Sequence, residues 1–234
     1  MFQIQTFLWA FLGGILPALL WLSFWLREDT DDNREPKKLI AGTFIAGLIA
    51  VVIALFLERG VGLFVTSGST IAIILWAIIE EATKFGAAWF VALRTRFNDE
   101  PVDSMVYLVT AALGFAALEN AFFLIGPFGN GEFTRGFITG NLRFIGSSLL
   151  HVISSGVIGI FIAYSFCELP SRKWMIAGLG LILAIVLHGF FNFFILRGDN
   201  NLFTIFGFVW VGVVLLILFF ERVKRINRTC VTSI

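Results

Sequence analysis

The sequence predicts an all-α fold, a polytopic bundle of about seven membrane-spanning helices, and three observations predict it. Hydrophobic residues make up 58% of the 234 residues and charged residues only 14%, where a soluble domain carries about 25% charged residues. The mean hydropathy is +0.91. The apolar residues are gathered into seven stretches of the length, about 20 residues, that crosses about 30 Å of hydrocarbon.

In chain order the predicted spans are residues 5–26, 39–57, 69–93, 103–126, 145–166, 174–196 and 202–221, with no convincing internal repeat. The first lacks the basic leader of a signal peptide and its apolar stretch is too long for one, so it reads as a retained helix. The connection at residues 27–38 is densely charged and reads as a solvated loop. The connection at residues 127–144 is the longest and holds four glycines and several phenylalanines. The others are short, so the chain reads as a single membrane domain over residues 1–234. Basic residues set the orientation. Of the 17 Lys and Arg, 12 fall in the first, third and fifth connections and the C-terminal tail, and 4 in the second, fourth and sixth. The rule places the N-terminus outside and the C-terminus in the cytoplasm. Cys167 and Cys230 then fall on the cytoplasmic side, where thiols stay reduced. The net charge of +1 points to no nucleic-acid partner; the partner that composition implies is the lipid bilayer.

Spans three to six carry residues that hydrocarbon disfavours: Glu80, Glu81, Lys84, Glu119, Asn120, His151, His188 and Asn192. A charged side chain at a helix centre costs about 2.5–3.5 kcal/mol on insertion scales, so such groups persist where they face one another, water or a metal. At about 1.5 Å per residue, Glu80 and Glu81 lie ~17 Å below the outer end of their helix, Glu119 ~10 Å, His151 ~9 Å and His188 ~12 Å. One depth implies one site in the outer half of the membrane. Glu80 and Lys84 share a helix face, as do His188 and Asn192, whereas Glu80 and Glu81 stand about 100° apart. Plainer readings compete: Glu80 with Lys84 as a buried ion pair, the asparagines as interhelical glue, Phe115, Gly114, Ala116 and Ala117 as packing.

The residues then show a resemblance. Glu80-Glu81-Ala82-Thr83-Lys84, Phe115-Ala116-Ala117-Leu118-Glu119-Asn120, His151 followed by Ser155, and His188-Gly189-Phe190-Phe191-Asn192 resemble, in order and spacing, the motifs of the PrsW family of intramembrane proteases. That family is related to the type II CAAX-prenyl endopeptidase superfamily. The resemblance spans residues 69–196, which would form a catalytic four-helix core. It implies proteolysis of a membrane-associated, single-span protein, an anti-sigma factor in the family, at the outer side of a bacterial or archaeal plasma membrane. It also implies a catalytic set of Glu80, Glu81, Lys84, Glu119, His151, His188 and Asn192.

Two mechanisms suit these residues. In one, His151, His188 and Glu119 hold Zn²⁺, three protein ligands leaving room for water, and Glu80 or Glu81 accepts the water proton. In the other, no metal is present: a glutamate and a histidine activate the water, while His188 and Asn192 stabilise the oxyanion. The segment 127–144 reads either as a gate above the site, with Phe128, Phe133 and Phe137 dipping into the interface, or as an ordinary interfacial loop. The rival classes are a proton-coupled transporter or channel and a non-catalytic scaffold. Inward of the cluster spans three to six are almost wholly apolar, which argues against a through-pathway.

Overall fold

The computed structural model describes residues 4–29, 34–197 and 202–226. Over them the chain forms α1 (Ile4–Trp25), α2 (Lys37–Val61), α3 (Thr70–Ala88) running into a π-helical turn (Trp89–Leu93), α4 (Pro101–Gly129), α5 (Phe133–Ile145), α6 (Ser147–Tyr164), α7 (Pro170–Arg197) and α8 (Leu202–Val223). Among the described residues six stretches are long and apolar enough to cross a membrane: α1, α2, α4, α5 with α6, α7 and α8. The seventh predicted span, α3, is 19 residues long and carries Glu80, Glu81 and Lys84. Its charged residues, and not its length, set it apart from the other six.

α4 is the axle of the bundle. At ~1.5 Å per residue its 29 residues extend ~43 Å. It starts on Pro101, whose missing N–H costs nothing at a first helical position, and on Asp103, whose carboxylate accepts the backbone N–H groups of Asp99 and Glu100. Residues 101–117 are buried on every side, as befits a helix apolar all round. Its neighbours α1, α2 and α6 approach closely because small residues meet at each crossing. A Cβ added to Gly14 would stand 2.3 Å from the Ala117 carbonyl oxygen, and one added to Gly114 would stand 2.1 Å from that of Phe44. α3 and α7 close the other side, so α3, α4, α6 and α7 enclose a common interior. Large apolar side chains such as Ile49, Phe56, Phe208 and Leu218 point outward, a surface that suits lipid and not water.

Two expectations change. The segment 127–144 is not a loop: α4 continues through Pro127 to Gly129, and α5 follows a tight turn at Gly131, where φ is +76°. Phe133 and Phe137 are exposed, but Phe128 is buried, its ring against Phe133 and Phe137. Gly136 makes the space, since a Cβ there would lie 2.4 Å from the Phe128 ring. Cys167 is disulfide-bonded rather than a free thiol; Cys230, the other cysteine of the chain, lies outside the described residues.

Candidate active site

Glu80, Glu81 and Lys84 on α3, His151 on α6 and His188 on α7 are all buried, and the helix packing brings them into one cluster. Glu81 is its anchor. Its Oε1 accepts from Lys84 Nζ at 2.6 Å, from His188 Nδ1 at 2.6 Å and from Ser154 Oγ at 2.9 Å. The sequence suggested Glu80 with Lys84; the ion pair is Glu81 with Lys84, three residues apart. Both spacings place side chains together on a helix. Glu81 prevails because its face meets further donors from α6 and α7.

Glu80 points instead between the two imidazoles. Its Oε2 stands 3.6 Å from His188 Nε2 and 4.0 Å from His151 Nδ1, is buried, and has no hydrogen-bond partner. The outer nitrogen of each imidazole meets a carboxylate: His188 Nδ1 that of Glu81, and His151 Nε2 that of Glu119 at 3.1 Å. A histidine N–H donated to a carboxylate sets the tautomer and aims the other nitrogen's lone pair. Here the other nitrogens, His188 Nε2 and His151 Nδ1, are the ones nearest Glu80, and the rings lie 5.1 Å apart at 78°. Lys84 Nζ also reaches His151 Nδ1, at 2.8 Å, and sits 5.1 Å from the centre of the Phe115 ring.

Glu119 is held from above. Arg143 of α5 donates to its Oε2 and, at 2.6 Å, to Asn120 Oδ1, and Asn120 Nδ2 donates to Ser148 Oγ at 2.9 Å. Sequence reasoning missed Arg143 because it counted as a loop cation; an arginine four residues before Ser147-Ser148 in an amphipathic stretch was the available signal. Ser154 was missed as well. The motif serine, Ser155, is buried without a partner, while its neighbour donates to Glu81. Asn192, one turn beyond His188, is half-buried.

Charge decides what is lacking. Removing an ion from water costs several kcal/mol even after relaxation, so such groups occur in compensating sets. Here three carboxylates, Glu80, Glu81 and Glu119, face two cations, Lys84 and Arg143. The surplus falls on Glu80, which has no cation of its own and whose Oε2, like Glu81 Oε2, is buried without a hydrogen-bond partner. One carboxylate oxygen and two imidazole nitrogens, from Glu80, His151 and His188, lie within 4.8 Å of one another, a donor set that fits a catalytic zinc. Glu119, expected as a ligand, is engaged by Arg143 and His151 Nε2 outside that group.

Comparison with known proteins gives the family. The family model described as "PrsW family intramembrane metalloprotease" matches residues 35–220. Proteins named Protease PrsW are similar along most of the chain. That of Oceanobacillus iheyensis is 29% identical over 223 residues, covering 94% of this chain and 97% of its own. That of Bacillus subtilis is 26% identical over 217 residues, covering 86% and 91%. No solved structure matches. With the family matched over its helices and its motifs gathered into one buried site, the chain belongs to the PrsW family of intramembrane metalloproteases, membrane-embedded endopeptidases.

Proposed function

We propose that the chain cleaves a single-span membrane protein, an anti-sigma factor by family resemblance, with Glu80, His151 and His188 as its hydrolytic centre. The cut would lie in the outer half of a bacterial plasma membrane. The observation that carries the reading is the orphaned Glu80 Oε2 between two imidazoles whose outer nitrogens are tied to carboxylates. These three residues would hold a metal ion, which when bound lowers the pKa of water toward ~7. Glu81 and Glu119 orient the histidines. Arg143 keeps Glu119 in place. Lys84 neutralises Glu81 and supplies positive charge where an oxyanion develops. An apolar groove of about 710 Å³ between α6, α7 and α8 includes Leu150 and Leu187 in its wall, the residues beside the two histidines. A substrate's spanning helix would lie there.

A metal-free reading rests on one contact, Lys84 Nζ to His151 Nδ1, because that lone pair cannot serve both a proton donor and a metal. In this form Glu80 Oε2 accepts the proton of the attacking water. One experiment separates the two. Purified wild type, Glu80→Gln, Glu119→Gln, His151→Ala and His188→Ala are incubated with a panel of single-span proteins, fragments are read by mass spectrometry, and bound metal is counted. The metal reading expects one zinc per chain, kept in Glu119→Gln and lost in the Glu80 and histidine variants. Full activity in a preparation shown to be metal-free would overturn it. Cleavage undiminished in folded Glu80→Gln and His188→Ala would overturn the site itself.

A further inference from the structure

A second acidic cluster lies far from the first. Along α4, Asp103 and Glu119 are 16 residues apart, ~24 Å at 1.5 Å per residue, at opposite ends of the bundle. At the Asp103 end, the connection between α1 and α2 meets the one that leads into α4. One carboxylate oxygen from each of Glu35, Asp99 and Asp103 lies within 4.8 Å of the other two. A fourth carboxylate, that of Asp29, accepts the backbone N–H of Glu35 at 2.9 Å.

Proximity of acids is not by itself a site. Here Glu35 is 8% exposed and Asp103 0%, and each keeps a buried oxygen, Oε2 and Oδ1, with no hydrogen-bond partner. The second oxygen of Asp103 is already used by the N–H groups of Asp99 and Glu100, and the Asp103 and Glu35 carboxyls meet side chain to side chain, a pair of acceptors that needs a proton or a cation between them. Negative charge packed this way calls for a cation or a proton.

We infer that Glu35, Asp99 and Asp103 form a second metal site, for a hard divalent cation of the Mg²⁺ or Ca²⁺ class, on the face that carries the basic connections. All three ligands are carboxylate oxygens, which suit hard ions and not the softer metals that select imidazole or thiolate. Oxygens spaced within 4.8 Å of one another can surround an ion bound at about 2.0–2.6 Å. The ion ties the start of α2 to the start of α4, the two helices that cross at Gly47 and Gly114. It acts as a clasp at the end of the axle remote from the hydrolytic centre.

The test uses the full-length protein in detergent, freed of divalent ions by chelation and dialysis. Thermal unfolding is followed while CaCl₂ or MgCl₂ is titrated at constant ionic strength, and bound ion is counted by equilibrium dialysis. The expected result is one ion per chain and a Tm that rises with its concentration, since a ligand of the folded state alone stabilises it. Asp99→Asn, an exposed position that tolerates substitution, and Glu35→Gln should each weaken apparent affinity tenfold or more. Glu168→Gln, a carboxylate outside the cluster, should keep the response. Absence of a cation-dependent shift in the wild type would overturn the inference. So would a shift of full size in Asp99→Asn and Glu35→Gln, or a Tm that follows pH but not either cation, which would assign the place to a proton.

Discussion

Replacing Arg143 by methionine isolates the contact by which α5 reaches the site. Arg143 and Glu119 are 17% and 19% exposed, so the pair is mostly but not wholly out of water. Removing one partner of a fully buried pair costs about 3–5 kcal/mol, much of it the penalty on the charge left behind. The residual exposure, and the N–H that His151 still offers Glu119, lower the expectation for Arg143→Met to about 2–3 kcal/mol. Glu119→Gln removes the charge that Arg143 serves, so the double variant should be less damaged than the sum of the singles. The coupling should be about 1.5–2 kcal/mol, since residues of one ion-pair network couple by 0.5–3. Reversible unfolding in mixed micelles measures all four corners of the cycle. Additivity of the two singles within about 0.5 kcal/mol, the behaviour of independent sites, would refute the claim that Arg143 acts through Glu119. Arg143→Lys should recover only part of the loss, because a single ammonium cannot reproduce the fork that reaches Glu119, Asn120 and Ser147 together.

Two further outcomes are expected. Ser154→Ala should cost about 1–2 kcal/mol and lower the cleavage rate, because a donor to a buried carboxylate is lost; Ser155→Ala, whose hydroxyl has no partner, should change unfolding little, and equal losses would contradict the assignment. Gly114→Ala should destabilise by about 1–3 kcal/mol, since its methyl would meet the α2 backbone and overpacking has that cost, whereas Gly178→Ala, where a Cβ meets nothing within 4 Å, should be neutral or better by chemical or thermal unfolding.

Much of this molecule is legible in its sequence, for a physical reason. In hydrocarbon every backbone polar group must be satisfied within its own segment, so an apolar stretch of sufficient length can only be a helix. A charge inside such a stretch carries a cost that marks it as belonging to a site. Composition therefore determined the helices, and the misplaced residues on α3, α4, α6 and α7 pointed to the four helices that enclose the buried polar cluster. The segment 127–144 was not legible in the same way, because its glycines and polar residues weaken the apolar signal; α5 forms where Phe128 can settle against Gly136.

What only the tertiary structure decided is who meets whom. Sequence spacing allowed Lys84 to pair with either glutamate; the donors arriving from α6 and α7 selected Glu81 and left Glu80 for the imidazoles. It allowed Glu119 among the metal ligands; Arg143, brought down by α5, drew Glu119 to the outer side of His151. It gave no hint that Glu35 and Asp103, 68 residues apart, share a buried cluster. Periodicity sets the face of a helix on which a residue stands, since that depends on neighbours a few positions away. The partner on the opposing face depends on how far and how closely helices cross, and here small residues such as Gly14, Gly47 and Gly114 set that through contacts distant in the chain.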